Sequence, residues 1–169
     1  SSIDGLASKY ETSNTLVNKL WKNITWSSSG NFLSIPTDCP QRNERLGWAG
    51  DISVFSRTAT YLADVSQFLR RYVQSMRDVQ RSDGRFPDIA PLGGGFGGLL
   101  WGSAGITVPW ECYQQYGDKR LLNEHYDAMS QYIQYILDKM IEKETGLLVQ
   151  NRAWGDLGDW LGLEDEKND

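Results

Sequence analysis

Residues 119–143, KRLLNEHYDAMSQYIQYILDKMIEK, carry the longest helical pattern in this chain of 169 residues. Their apolar side chains recur at intervals of three and four, which is the spacing of one face of an α-helix. Four other stretches show the same spacing of apolar side chains, and residues that typically begin or end helices lie at their boundaries. We therefore predict an all-α chain with helices over about 13–26, from about 51, over 65–80, over 104–116 and over 119–143.

The connections between these helices alternate between short and long. Short joints fall near 63–65 and 117–118, whereas long loops cover 31–50, 82–102 and 145–163. Short joints are typical of antiparallel helix pairs. We expect an array of antiparallel helical hairpins in which the long loops gather on one face. The only strand signal is a short apolar run at 147–149.

Composition excludes several classes of protein. The formal net charge is −5 and no Lys/Arg-rich run occurs, so the basic surface of a nucleic-acid-binding protein is missing. No apolar run approaches the ~20 residues of a membrane span. No linker divides the chain, so we expect residues 1–169 to form a single domain. The sequence leaves the compartment open.

Two cysteines do not make a disulfide framework or a metal site. The lone histidine has no nearby Ser or Cys nucleophile, so the sequence does not indicate a catalytic triad. We expect Cys39 and Cys112 to be unpaired thiols. We expect His125, which falls within the last helix, to lie on the surface or between helices. Neither a metal nor a cofactor is predicted.

The loop at 38–51, DCPQRNERLGWAGD, is the densest group of polar functional side chains. Its three carboxylates are Asp38, Glu44 and Asp51. Each has an ordinary explanation, because Asp38 could be a turn residue, Glu44 a solvated charge and Asp51 the N-cap of the second helix. Together with Arg42 and Trp48 they are harder to dismiss as unrelated surface residues.

Tryptophans beside Gly or Asp occur in the other long loops as well, at Trp101 and in the segment 154–160, WGDLGDW. Carboxylates accept hydrogen bonds from sugar hydroxyls, and indole rings offer an apolar face to the sugar ring. These rings could equally cap the core at helix ends. A glycosidase also needs a protonated carboxyl as general acid. Glu44 is the candidate because neighbouring carboxylates raise a pKa, although direct pairing with Arg42 or Arg45 would oppose that shift.

Four segments resemble the bacterial and fungal α-L-rhamnosidases, which are inverting glycoside hydrolases with an (α/α)6 toroid as catalytic domain. They are the loop at 38–51, GRFPDIAP at 84–91, WGSAGITVPW at 101–110 and GDWL at 158–161. The resemblance implies Glu44 as general acid, and Asp38 and Asp51 as ligands of sugar hydroxyls. It implies Trp48, Trp101 and Trp160 as pocket walls, with Arg42 or Arg45, and Asp159, among the polar contacts.

The resemblance also implies a general base, a glutamate far downstream, for which this sequence has no counterpart. Five or six helices are about half of a toroid. We therefore expect an N-terminal portion of the catalytic domain, which acts on a rhamnose-containing carbohydrate and pairs with the remainder of the domain or with itself. The alternatives are an inactive carbohydrate-binding or structural half-toroid that needs a partner, and another (α/α)6 glycosidase.

Overall fold

The computed structural model describes residues 2, 3, 5–95 and 98–149. The elements, in chain order, are α1 (Thr15–Asn31), β1 (Phe32–Leu33), β2 (Ile35–Pro36), α2 (Ala49–Leu62), α3 (Ser66–Asp78), α4 (Leu99–Gly102), α5 (Ala104–Tyr116) and α6 (Lys119–Lys139). The strands form one two-residue antiparallel ladder. The predicted all-α class is confirmed. No helix within these residues is long and apolar enough to cross a membrane.

The helix ends differ from the predicted ones by a few residues. The first helix continues through the serine-rich segment to residue 31, and within it Ser28 Oγ donates to the Ile24 carbonyl one turn earlier. The second helix begins at Ala49 rather than near Asp51. The short α4 was not predicted, because four residues carry too little periodicity. An isolated bridge between Ile141 and Leu148 agrees with the extended segment expected at 147–149.

Two antiparallel hairpins form the body of the structure. The joint at 63–65 connects α2 to α3, and the joint at 117–118 connects α5 to α6. Gly117 adopts φ +68°, a left-handed conformation that ends a helix, and the Asp118 side chain then caps α6. Because α2 packs on α5 and α3 packs on α6, the hairpins lie side by side.

The core lies between these hairpins, with further buried residues from the loops that precede α2 and α5. The largest fully buried apolar side chains are Tyr72, Tyr132, Phe86, Ile52, Leu69, Met76, Val65, Val73 and Val108. The long loops before α2 and α5 meet at one end, where Trp48 forms an antiparallel bridge with Ile89. The expected gathering of loops on one face is thus present for these two loops.

Two apolar stripes remain open. The predicted stripe of α1 is largely exposed, with Leu16 and Leu20 exposed by 75% and 58%. On α6, Tyr126, Ile133 and Leu137 are exposed on the side away from the buried face, and we call these three residues the open stripe of α6. Among the described residues nothing covers either stripe, because α1 packs mainly on β1 and α6 packs on α3 and α5 through its other face.

His125 supplies the hydrogen-bond donor that Pro109 lacks inside α5. A proline has no N–H, so Pro109 cannot donate to the Gly105 carbonyl one turn earlier. The His125 Nε2 lies 3.0 Å from that carbonyl oxygen and must carry the proton, since a carbonyl only accepts. The ring stacks on Phe86 and is 1% exposed. Of the two roles expected for His125, packing between helices is the correct one.

Burial lowers the pKa of His125 from 6.5 to about 4, and the charge of Arg77 acts in the same direction. The unfolded chain therefore binds a proton between pH 6.5 and pH 4 that the folded chain does not bind. We predict that stability falls as pH drops through this window, by about 3 kcal/mol in total from this group.

Denaturant unfolding at pH 7 and pH 4.5 measures this effect. The His125→Gln variant, which keeps a donor for Gly105, should lose most of that pH dependence. An unchanged difference between the two pH values in the variant would show that other groups cause it.

Candidate active site

The loop at 38–51 is closed by a reciprocal contact between its two sides. The Asp38 amide donates to the Leu46 carbonyl at 3.0 Å, and the Leu46 amide donates to Asp38 Oδ1 at 2.9 Å. Arg45 adopts φ +56°, which turns the chain just before this contact. Asp38 is therefore a turn residue, as one interpretation of the sequence expected. The hydrogen bond from the Leu46 amide also fixes the position of its carboxylate.

The environment of Asp38 keeps it ionised. Partial burial acts to raise the pKa of Asp38, but hydrogen bonds from the Cys39 amide and thiol and from the Leu46 amide outweigh this and lower the pKa below its ordinary value. A hydrogen bond from Glu44 lowers the pKa of Asp38 further. Asp38 thus remains a hydrogen-bond acceptor near neutral pH.

Glu44 is fixed through both of its carboxylate oxygens. The Trp48 indole Nε1 donates to Glu44 Oε1 at 2.9 Å, and the Arg42 guanidinium pairs with Oε2. The Glu44 side chain keeps 27% of its surface exposed. It is therefore an oriented carboxyl at the edge of solvent, in contrast to the freely solvated charge that the sequence also allowed.

Arg42 lies between acidic partners. Its guanidinium pairs with Glu44 and also contacts the Cys39 thiol. One oxygen of Asp38, the Cys39 sulfur and one oxygen of Glu44 lie within 4.8 Å of one another, a spacing that could hold a cation. The Arg42 side chain supplies a positive charge beside that group. The structure thus contains the direct pairing between Glu44 and Arg42 that the sequence left open.

Asp51 lies in the first turn of α2 and is not its N-cap, which corrects one reading of the sequence. Trp48 precedes the helix, and the Ala49 amide donates to the Asp88 carbonyl at 2.7 Å. Although Asp51 keeps exposed surface, partial removal of its carboxylate from water raises its pKa, and the charges of Asp38 and Glu44 raise it further.

Trp101 approaches the same turn from α4. A Cβ atom added to Gly50 would lie 2.6 Å from Trp101 Cε2, so the indole ring rests directly on the backbone of α2 just before Asp51. Only glycine leaves room for this contact. The half-buried indole therefore lies beside the turn that carries Asp51.

A cavity of about 370 Å³ connects two of the predicted site residues. Asp38 and Asp51 both line it, while Arg42, Glu44, Trp48 and Trp101 are not part of its wall. The remaining lining residues come from the end of α1, the strand pair and α2, and they are Ser27, Ser28, Asn31, Phe32, Pro36, Thr37, Ile52, Val54 and Phe55. Its volume lies within the usual range for small-molecule sites. The predicted residues Asp159 and Trp160 lie outside the described residues.

Sequence reasoning missed the contribution of α1 and α3 to this region. Ser28 and Phe32 line the cavity, although Ser28 lies just beyond the predicted end of the first helix and Phe32 lies in the predicted long loop at 31–50. Tyr72 lies within the helix predicted over 65–80, and its hydroxyl donates to the Gly47 carbonyl at 3.0 Å. Periodicity indicates that such a ring is buried but carries no signal for where its hydroxyl points.

Comparison with known proteins agrees with this geometry. Residues 6–169 match the model of the bacterial α-L-rhamnosidase six-hairpin glycosidase domain. The chain is 46% identical over 161 residues to an α-L-rhamnosidase of Streptomyces avermitilis, a match that covers 94% of the chain and 15% of that relative. It is 37% identical to an α-L-rhamnosidase of Alteromonas sp., with 95% of the chain and 17% of the relative covered.

Solved structures give the same result. The crystal structure of the Streptomyces avermitilis α-L-rhamnosidase complexed with L-rhamnose matches with a TM-score of 0.76, over 79% of this chain and 13% of that one. The α-L-rhamnosidase of Aspergillus terreus matches with a TM-score of 0.72 at 43% identity, over 82% of this chain and 16% of that one. The described helices are thus part of an (α/α)6 arrangement. The chain belongs to the bacterial α-L-rhamnosidase six-hairpin glycosidase domain family.

Proposed function

We propose that this chain supplies the proton-donating side of a glycoside hydrolase that removes terminal α-L-rhamnose with inversion. Family membership supports the reaction class. One observation carries the assignment of the donor: the Glu44 carboxyl is held by the Trp48 indole within 4.8 Å of Asp38, and Asp38 lines a cavity together with Asp51. A related protein of Streptomyces avermitilis has been crystallised with L-rhamnose.

In this proposal Glu44 protonates the glycosidic oxygen as the bond to the leaving group breaks. Asp38, whose lowered pKa keeps it an acceptor, lies within 4.8 Å of Glu44 and can accept a hydrogen bond from the acid proton that Glu44 carries in this proposal. In the structure the Arg42 guanidinium pairs with Glu44, so a bound sugar must draw this guanidinium toward its hydroxyls for Glu44 to act as an acid.

The other residues hold the sugar. Asp38 and Asp51 face the cavity and accept hydrogen bonds from the rhamnose hydroxyls. Trp48 and Trp101 lie outside the wall of this cavity, and we propose that they offer indole faces to the part of the sugar that extends beyond it. We include Asp159 and Trp160 in the pocket on the strength of the resemblance of their segment alone.

The general base comes from another part of the domain. Inversion requires a second carboxylate about 6.5–9.5 Å from the acid, with room for the attacking water. The chain spans only 15% of the length of the Streptomyces avermitilis relative. We propose that the remainder of the six-hairpin domain supplies this carboxylate, and that both halves are needed for turnover.

We predict that Glu44→Gln, introduced into the protein with a complete six-hairpin domain, lowers kcat on an aryl α-L-rhamnoside by about 10²–10⁴-fold, because the amide cannot donate the acid proton. Release of the phenol measures the rate. Glu111→Gln is a matched control, since Glu111 is also partly buried, at 21% side-chain exposure, and faces an arginine, Arg57. A rate for Glu44→Gln close to that of the control would contradict the assignment.

The open stripe of α6 favours contact with a partner surface. Tyr126, Ile133 and Leu137 expose 65%, 45% and 56% of their surface, and contiguous apolar surface of this kind marks an interaction site. We propose that in the complete domain further helices cover the open stripe of α6. Without them, a second copy of the chain should cover it.

We therefore predict that the isolated 169-residue chain self-associates at micromolar concentration, as measured by light scattering. The pair of changes Ile133→Lys and Leu137→Lys should shift it toward monomer, because charged side chains resist burial. Gln131→Lys is the control, since Gln131 is exposed on another side of α6. A well-folded wild-type monomer at all concentrations would disprove this role of the stripe.

A further inference from the structure

The Gly47 carbonyl is the point at which the rest of the fold holds the candidate site loop. Its oxygen accepts two hydrogen bonds, from the Ala90 amide at 3.0 Å and from the Tyr72 hydroxyl at 3.0 Å. Gly47 is buried, and a Cβ atom there would overlap the Ala90 carbonyl oxygen. The backbone at Gly47 therefore has little freedom as long as both donors remain.

The Tyr72 hydroxyl needs an explanation, because a phenylalanine would fill the same space in the core. Tyr72 is 1% exposed on α3, among the buried apolar side chains of Leu69, Val73 and Met76. Burying a hydroxyl costs free energy unless it is hydrogen-bonded. Burial, and also the charge of Asp51, raises the pKa of Tyr72, so the phenol remains a donor at neutral pH.

The effect of this hydrogen bond extends to the catalytic carboxyl through one peptide unit and one side chain. The Gly47 carbonyl belongs to the peptide that enters Trp48, so fixing this oxygen fixes the plane from which the Trp48 side chain projects. The Trp48 Nε1 then donates to Glu44 Oε1 at 2.9 Å. The path from α3 to Glu44 therefore consists of two hydrogen bonds joined by the Gly47–Trp48 peptide and the half-buried Trp48 side chain.

We propose that Tyr72 is a positioning residue of the site: its hydroxyl fixes the peptide between Gly47 and Trp48 and thereby places the Glu44 carboxyl for proton donation. The proposal rests on the proposed function, since it assumes that Glu44 is the acid. Tyr72 itself is not among the residues that line the cavity, and its hydroxyl donates to Gly47 and not to Glu44.

The test compares two substrates of the protein with a complete six-hairpin domain. A 4-methoxyphenyl α-L-rhamnoside needs the acid to protonate its leaving group, whereas a 2,4-dinitrophenyl α-L-rhamnoside does not. We expect Tyr72→Phe to lower kcat about tenfold on the first substrate, because a poorly placed catalytic group loses much of its effect. On the second substrate we expect less than about a twofold change, since no proton is required.

Tyr116→Phe is the matched control. The Tyr116 hydroxyl also binds backbone, accepting from the Val65 amide at 3.1 Å and donating to the Ala63 carbonyl at 3.3 Å. It does so at the joint between α2 and α3, the opposite end of the hairpin from the loop, and should change both substrates equally. Equal losses on both substrates in Tyr72→Phe, or no loss on either, would overturn the positioning role.

A second readout does not depend on activity. In protein labelled with 5-fluorotryptophan, the ¹⁹F resonance of Trp48, assigned with Trp48→Phe, should move in Tyr72→Phe and stay in place in Tyr116→Phe. An unmoved resonance in Tyr72→Phe overturns the positioning role whatever the rates are. If the wild-type protein releases no rhamnose while the resonance moves, the proposed function fails and the link from Tyr72 to Trp48 stands.

Discussion

The antiparallel contact between residues 47–49 and 88–90 is the constraint on which the site depends. The Ala90 amide donates to the Gly47 carbonyl, and the Ala49 amide donates to the Asp88 carbonyl at 2.7 Å. These bonds connect the long loop before α2 to the long loop before α5, and they also satisfy the first amide of α2. Both loops are tied at this point, and the indole of Trp101 lies against Gly50 in the first turn of α2, next to Asp51.

Opposing electrostatic effects meet at Glu44. A cation, Arg42, pairs with its carboxyl, and an anion, Asp38, lies within 4.8 Å of it. In the proposed mechanism the general acid gives up a proton and regains it in each catalytic cycle. Arg42 is largely exposed and can move, while Trp48 is anchored through Gly47. The proposed site therefore combines a fixed carboxyl with a mobile counter-ion.

Much of the fold follows from local sequence patterns. Helical spacing and the short joints at 63–65 and 117–118 were sufficient to predict the hairpins, because both signals depend on residues close together in the chain. The exposed stripe of α1 was not predictable in the same way. Periodicity identifies an apolar face of Leu16 and Leu20 but not the element that covers it, and within the described residues nothing does.

For the site as well, the sequence indicates which residues matter but not which contacts they make. The composition of the loop at 38–51 pointed to Asp38, Glu44 and Asp51, but the pairing of Glu44 with both Arg42 and Trp48 depends on how the loop folds back on itself. The roles of these residues remain proposals. The hydroxyl of Tyr72 illustrates the limit most clearly, since its partner is 25 residues away in the chain and no pattern in α3 connects the two.

A crystal structure of the Glu44→Gln variant of the complete domain, with an intact α-L-rhamnoside bound, tests the central claim most directly. The account predicts that the side chain at position 44 lies within hydrogen-bond reach of the glycosidic oxygen, about 2.6–3.2 Å, and that Asp38 and Asp51 contact the rhamnose hydroxyls. A rhamnoside whose glycosidic oxygen lies beyond the reach of position 44, even through one water, would contradict it.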